Sequence, residues 1–134
     1  MTLTIAEVCE VSGVKQQTLL NRISSELIEP TIRGGVGRGK GHEFSVTQVV
    51  GICVAEEVLR SEHKCALSFV GVTVEAFGNV TESWLIRKFK EGDRFYLQPH
   101  YGKPLLSGDH RYGWPNAEKA LKTVLAHEEQ KGKR

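Results

Sequence analysis

The fold is decided at residues 4–23, which read TIAEVCEVSGVKQQTLLNRI and contain the signals of two successive helices. Thr4 and Glu7 have the spacing of a capping box, in which a hydroxyl and a carboxylate each satisfy a backbone amide at a helix start. Gly13 ends the segment, because glycine tolerates the left-handed conformation that terminates a helix. The pattern predicts a helix of about two turns that begins at Ile5.

A second helix follows from Lys15, with Leu19 and Ile23 spaced to face a core. Its polar side chains, which we expect to face solvent or a ligand, are Gln16, Gln17, Asn21 and Arg22. Glutamine and asparagine amides form paired hydrogen bonds with adenine, and arginine does so with guanine or binds phosphate. This face is therefore either a reader of a DNA major groove or an ordinary solvated surface.

A glycine-rich hairpin is predicted next. Residues 31–33 and 42–44 have the composition of two strands, and residues 34–41 between them contain five glycines. We expect Arg33, Arg38 and Lys40 to contact phosphates, since each neutralised phosphate releases a condensed counterion.

A third helix is predicted after the hairpin, because Ser45 and Gln48 form another capping box. Its inner face is predicted to contain Val49, Ile52, Cys53, Glu56 and Leu59. The order is helix, turn, helix, hairpin, helix.

This order of features resembles the MerR family of transcriptional regulators over about the first 60 residues. The matching pieces are Thr4-Ile5-Ala6-Glu7-Val8, Gly13-Val14, Thr18-Leu19, Leu27-Ile28-Glu29-Pro30 and Phe44-Ser45. The resemblance implies a winged helix-turn-helix that binds double-stranded DNA, and related shorter proteins include phage excisionases. The chain departs from the family at Lys15, Gln17 and Leu20-Asn21-Arg22, so the identity of the DNA site does not carry over. The residues predicted to bind DNA are Lys15, Gln16, Gln17, Thr18, Asn21, Arg22, Arg33, Arg38, Lys40 and His42.

Two other motifs in the sequence compete with this interpretation. Residues 34–41 come within one residue of a phosphate-binding loop, but such a loop must follow a buried strand and open directly into a helix. Cys53, His63 and Cys65 lack the closely spaced ligand pairs of structural zinc, which favours ordinary thiols and a surface histidine. We predict no metal, no cofactor and no catalytic residue.

The composition suits a globular protein of 134 residues with a net charge of only +2, so any affinity for DNA must depend on where the cations lie. Three widely spaced cysteines favour a reducing compartment. Without a signal peptide pattern or a long apolar run, the expected location is the cytoplasm.

The C-terminal half has no recognised family pattern. We predict a helix that includes Leu67, Val70, Val74 and Phe77, a helix capped by Thr81 that runs through Lys90, and a hairpin that joins residues 94–98 to Leu105 and Leu106. The turn of this hairpin is expected at residues 99–102. A last helix is predicted from Pro115 through about Gln130, followed by a disordered basic tail.

The predicted fold class is mainly α with small β-hairpins, divided into a winged helix-turn-helix at residues 1–62 and a dimerisation or sensor region at residues 63–134. The predicted function is sequence-specific regulation of transcription by a homodimer, with an unknown small-molecule effector. One alternative is an excisionase-like or architectural DNA-binding factor. An alternative of another class is a ligand-sensing or protein-interaction module.

Overall fold

The chain is mainly helical, with six helices and two small antiparallel sheets among the residues that the structure describes. The computed structural model describes residues 2–32, 41–60, 68–90, 96–100, 103–107 and 117–132. The elements are, in order, β1 (Thr2–Thr4), α1 (Ile5–Ser12), α2 (Gln16–Ser24), β2 (Glu43–Ser45), α3 (Val46–Arg60), α4 (Ser68–Gly78), α5 (Glu82–Lys90), β3 (Tyr96–His100), β4 (Lys103–Ser107) and α6 (Ala117–Gly132).

The caps of α1 confirm the sequence prediction at both ends. The Glu7 amide donates to the Thr4 hydroxyl at 3.3 Å, and the Thr4 amide donates to the Glu7 carboxylate at 3.2 Å. Gly13 has a φ of 76°, and its amide donates to the Cys9 carbonyl. Local hydrogen bonds therefore define this helix.

The end of α2 is a Schellman turn with a glutamate in the left-handed position. The Leu27 amide donates to the Arg22 carbonyl at 2.9 Å, and the Glu26 amide donates to the Ile23 carbonyl at 3.1 Å. This is the pair of hydrogen bonds that closes such a turn, and its left-handed residue is usually glycine. Here Glu26 occupies it, with a φ of 65°.

Replacing Glu26 by glycine is expected to stabilise the protein by about 0.5–1 kcal/mol, because glycine has no Cβ to clash in the left-handed region. Urea denaturation measures the difference. Glu29→Gly is the matched control, since Glu29 is exposed nearby and has no positive φ. Equal stability of the two variants would contradict the strained position of Glu26.

The N-terminal sheet brings together the strand before α1 and the strand before α3. Leu3 on β1 pairs with Phe44 on β2, and both side chains are fully buried. Ile32 forms an isolated antiparallel bridge with Glu43, in which each amide donates to the other residue's carbonyl at 2.9–3.0 Å. The antiparallel base of the predicted hairpin is confirmed, whereas residues 33–40 lie outside the described residues.

The start of α3 shows the second predicted capping box and anchors the base of this hairpin. The Gln48 amide donates to the Ser45 hydroxyl, and the Ser45 amide donates to the Gln48 side-chain oxygen, both at 3.2 Å. The Gln48 side chain also accepts a hydrogen bond from the Thr31 hydroxyl and donates to the Glu29 carbonyl. One capping residue therefore connects α3 to the segment that leads into the hairpin.

The core is one cluster of buried side chains from both halves of the chain. Helix α3 packs against α4 and α6 as well as against α1. Helix α4 also approaches the turn after α2 closely, since a Cβ on Gly71 would lie 2.7 Å from the Leu27 carbonyl oxygen. The predicted division at residues 62–63 falls in a segment outside the described residues and stays a prediction.

The elements of the C-terminal half agree with the sequence predictions, with two corrections. Val70, Val74 and Phe77 are buried on α4, and the Trp84 amide donates to the capping Thr81 hydroxyl at 3.1 Å. Strands β3 and β4 form the predicted hairpin.

The first correction concerns the turn, which was predicted at residues 99–102. Pro99 and His100 instead belong to β3, because the antiparallel ladder extends through the pairs Pro99–Pro104 and His100–Lys103. The second concerns the basic tail, since α6 continues to Gly132 and Lys131 lies within its last turn. An ion pair between Lys131 and Glu7 accompanies this extension.

Candidate nucleic-acid interface

The candidate interface is the exposed face of α2. Leu19 and Ile23 are 0% and 3% exposed and hold the opposite face of the helix in the core. Lys15, Gln16, Gln17 and Asn21 are exposed, and Thr18 is partly buried. The structure therefore leaves these polar side chains available to a ligand, as the sequence predicted.

Gln17 and Asn21 form a hydrogen-bonded pair on this face. Each lies about 160° around the helix axis from Leu19, at 100° per residue. The Gln17 Nε2 atom donates to Asn21 Oδ1 at 2.9 Å, as expected for neighbours four residues apart. The contact restrains two amide side chains before any ligand binds.

The predicted placement of Arg22 on the same solvent-facing surface is wrong. Arg22 is 8% exposed, and its guanidinium forms an ion pair with Glu56 of α3, which is also 8% exposed. Arg22 is three residues from Leu19 and therefore lies nearer the core side of the helix. The Arg22 charge can be buried because the Glu56 carboxylate neutralises it.

This pair was not found from the sequence, although a signal existed. Glu56 was predicted on the inner face of α3 among apolar residues, and a carboxylate in that position needs a donor. A search for basic residues near the core side of neighbouring helices would have selected Arg22.

The residues of the predicted hairpin are only partly described. Arg33, Arg38 and Lys40 lie outside the described residues, and His42 is half-buried. Gly41 is followed by β2 before α3 begins, so this loop does not open directly into a helix. The arrangement is unlike that of a phosphate-binding loop.

A second polar cluster connects α1 to the C-terminal helix. Glu7 accepts a hydrogen bond from Lys131 Nζ at 3.0 Å, and its other oxygen lies 2.9 Å from His127 Nε2. Partial burial alone raises the pKa of Glu7, but the hydrogen bonds from His127, Lys131 and Thr4 outweigh it and lower the pKa to about 2. The Glu7 carboxylate therefore stays charged at neutral pH. The hydrogen bond from Lys131 to this carboxylate raises the pKa of Lys131 in turn.

Acid is expected to remove the contribution of this cluster to stability. A carboxyl group whose pKa is lowered in the folded state stabilises the protein above its ordinary pKa of 4.5, and the stabilisation is lost as pH falls to about 2. Glu7→Gln should therefore be less stable than the unmodified protein by roughly 1–2 kcal/mol at neutral pH, and the gap should close between pH 4.5 and 2.

Urea denaturation at a series of pH values measures this gap. Glu10→Gln is the control, because Glu10 is an exposed glutamate on the same helix. A gap that does not change with pH would contradict the role of the Glu7 carboxylate.

A groove of about 470 Å³ lies between the turn after α2 and helix α4. Glu26, Glu29 and Glu75 line it together with Thr31, Gln48 and Asn79. Three carboxylates repel a phosphate backbone, so the groove does not extend the candidate interface.

Among the residues that the structure describes, no three His, Cys, Asp or Glu side chains form a group that could hold a metal ion. Cys9 and Cys53 are half-buried, and burial raises the pKa of the Cys9 thiol. His63 and Cys65 lie outside the described residues. Among the helices that are described, none is long and apolar enough to cross a membrane.

Neither family models, nor curated proteins, nor solved structures gave a match when compared with this chain. A function is therefore inferred from the chain's own residues.

Proposed function

We propose that this protein is a sequence-specific DNA-binding regulator of transcription in which residues 1–62 form a MerR-like winged helix-turn-helix. The observation that supports this most directly is the two-sided character of α2. One side is held by buried Leu19 and Ile23, and the other presents the hydrogen-bonded amides of Gln17 and Asn21. A short helix fixed in this way fits the major groove of DNA, which is about 12 Å wide.

The amide pair offers the chemistry of a base reader. After the bond from Gln17 to Asn21, the Gln17 oxygen can still accept a hydrogen bond and the Asn21 nitrogen can still donate. The major-groove edge of adenine presents one donor, N6, and one acceptor, N7. The pair as a unit is thus complementary to adenine.

Phosphate contacts are proposed at the start of α2 and in the hairpin. Lys15 is the N-cap residue of α2 and forms no side-chain capping bond, so the first-turn amides have no side-chain partner there. Helix N-termini favour anions through these amides and the helix dipole. Arg33, Arg38 and Lys40 would add contacts from the hairpin, and this role stays a prediction from the sequence.

The order of elements also supports a winged unit. Helices α1 and α2 are joined by a tight turn at Gly13, and Ile32 then forms an antiparallel bridge with Glu43, just before α3. We propose that two copies act together, since two linked units gain affinity through effective concentration. An excisionase-like or architectural factor would use the same contacts with weaker sequence preference.

Selection of bound sequences from a random DNA pool, at two salt concentrations, tests the proposal. We expect an adenine-containing preferred site, with affinity that falls as salt rises because phosphate contacts release counterions. Binding without any enriched sequence would favour the architectural alternative. No binding at either salt concentration would reject DNA recognition.

Gln17→Ala and Asn21→Ala are each expected to weaken binding to the preferred site by about 1–3 kcal/mol and to relax the preference at one base pair. Stability should change by less than about 0.5 kcal/mol, because both side chains are exposed. Fluorescence anisotropy with the preferred and mutated sites measures the effect. Gln130→Ala, an exposed glutamine on α6, is the matched control. Unchanged affinity and preference in both variants would show that α2 is not the reader.

A further inference from the structure

We propose that Arg22 and Glu56 are a positioning pair that orients α2 on α3 and thereby sets how strongly the protein discriminates between DNA sequences. The inference rests on the proposed function. It assigns to the pair a role in specificity, although neither side chain faces the DNA.

Arg22 controls α2 through both its side chain and its main chain. Its guanidinium pairs with Glu56, 34 residues further along the chain, in a buried position between α2 and α3. Its carbonyl accepts hydrogen bonds from the Leu27 amide at 2.9 Å, the Ile28 amide at 3.2 Å and the Ser25 hydroxyl at 3.3 Å. Arg22 is thus both the acceptor of the turn that ends α2 and the partner of a carboxylate on α3.

The apolar contacts of α2 do not by themselves fix its rotation about the helix axis. Leu19 and Ile23 are buried, but hydrophobic burial is non-directional and tolerates small rotations of a short helix. A charge-assisted hydrogen bond requires a defined distance and angle. A rotation that moved Gln17 and Asn21 away from a base would also break the bond between Arg22 and Glu56.

Helix α3 provides a rigid support for this bond. It packs against α4 and α6, and a Cβ on Gly51 would lie only 3.0 Å from the Val74 Cα atom. Since a buried ion pair often contributes no more to stability than an apolar pair of similar size, its main effect here is on geometry. The bond therefore fixes the orientation of α2 relative to α3, a helix that is itself packed against α4 and α6.

The double variant Arg22→Met/Glu56→Leu separates geometry from stability, because it replaces the ion pair by apolar side chains of similar size. The control Arg87→Met/Glu75→Leu makes the same chemical changes at two exposed positions. Three quantities are compared: the melting temperature, hydrogen exchange of the α2 amides without DNA, and the ratio of affinities for preferred and random DNA.

We expect the double variant to melt within about 5 °C of the unmodified protein. Its α2 amides should exchange at least about tenfold faster, and the affinity ratio should fall at least about tenfold with an unchanged salt dependence. The control should retain all three values. Unchanged α2 exchange, or an unchanged affinity ratio, overturns the inference.

Failure of the proposed function gives a different result. If the unmodified protein prefers no DNA sequence, the proposal of sequence-specific binding fails, and with it the role of the pair in specificity. Faster α2 exchange in the double variant would then still establish the positioning of α2, because that measurement contains no DNA.

Discussion

Glu56→Leu is expected to lower the free energy of unfolding by about 3–5 kcal/mol. The variant leaves the Arg22 guanidinium buried without the carboxylate that neutralises it. Returning that charge to water requires the Arg22 side chain to leave its buried position. Urea denaturation measures the loss, and the midpoint should shift without a change in slope.

The matched control is Glu10→Leu, an exposed glutamate on α1. It makes the same chemical change without exposing a buried cation, so its effect should stay within about 0.5 kcal/mol. Combining Glu56→Leu with Arg22→Met should recover most of the loss, because the buried charge is then absent. A loss below about 1 kcal/mol for Glu56→Leu alone would contradict a buried ion pair between these helices.

Leu19→Ala is expected to cost about 2–5 kcal/mol of unfolding free energy, because truncation of a fully buried leucine removes packing and leaves a cavity. Alanine is a better helix former than leucine, so the loss arises from packing against the core and not from helix propensity. Thermal and urea denaturation both measure it. Leu20→Ala, at a half-buried neighbouring position, should cost less.

The effect of substitution on DNA binding distinguishes Leu19 from the polar residues of the same helix. Leu19→Ala should weaken binding to preferred and random DNA in proportion to the fraction unfolded, whereas Gln17→Ala weakens the preferred site alone in a folded protein. Full stability of Leu19→Ala would show that this side of α2 does not face the core.

The sequence by itself determined the helix boundaries that depend on contacts within a few residues. The Thr4–Glu7 and Ser45–Gln48 capping boxes and the Gly13 terminus were all predicted, because a cap is formed by neighbouring residues and needs no knowledge of the rest of the fold. The same reasoning placed Leu19 and Ile23 in the core, since helical spacing alone puts them on one side.

The tertiary structure decided which charged residues are buried and what they meet. Helical spacing gives the angle of Arg22 around α2, but only the position of Glu56 on another helix makes burial of its charge favourable. Likewise, Glu7 is recognisable as a capping residue, while its bond to His127 joins positions 120 residues apart. Contacts of this kind depend on how helices pack in space: a carboxylate on an apolar face indicates that a partner is needed, but only the packing shows which residue supplies it.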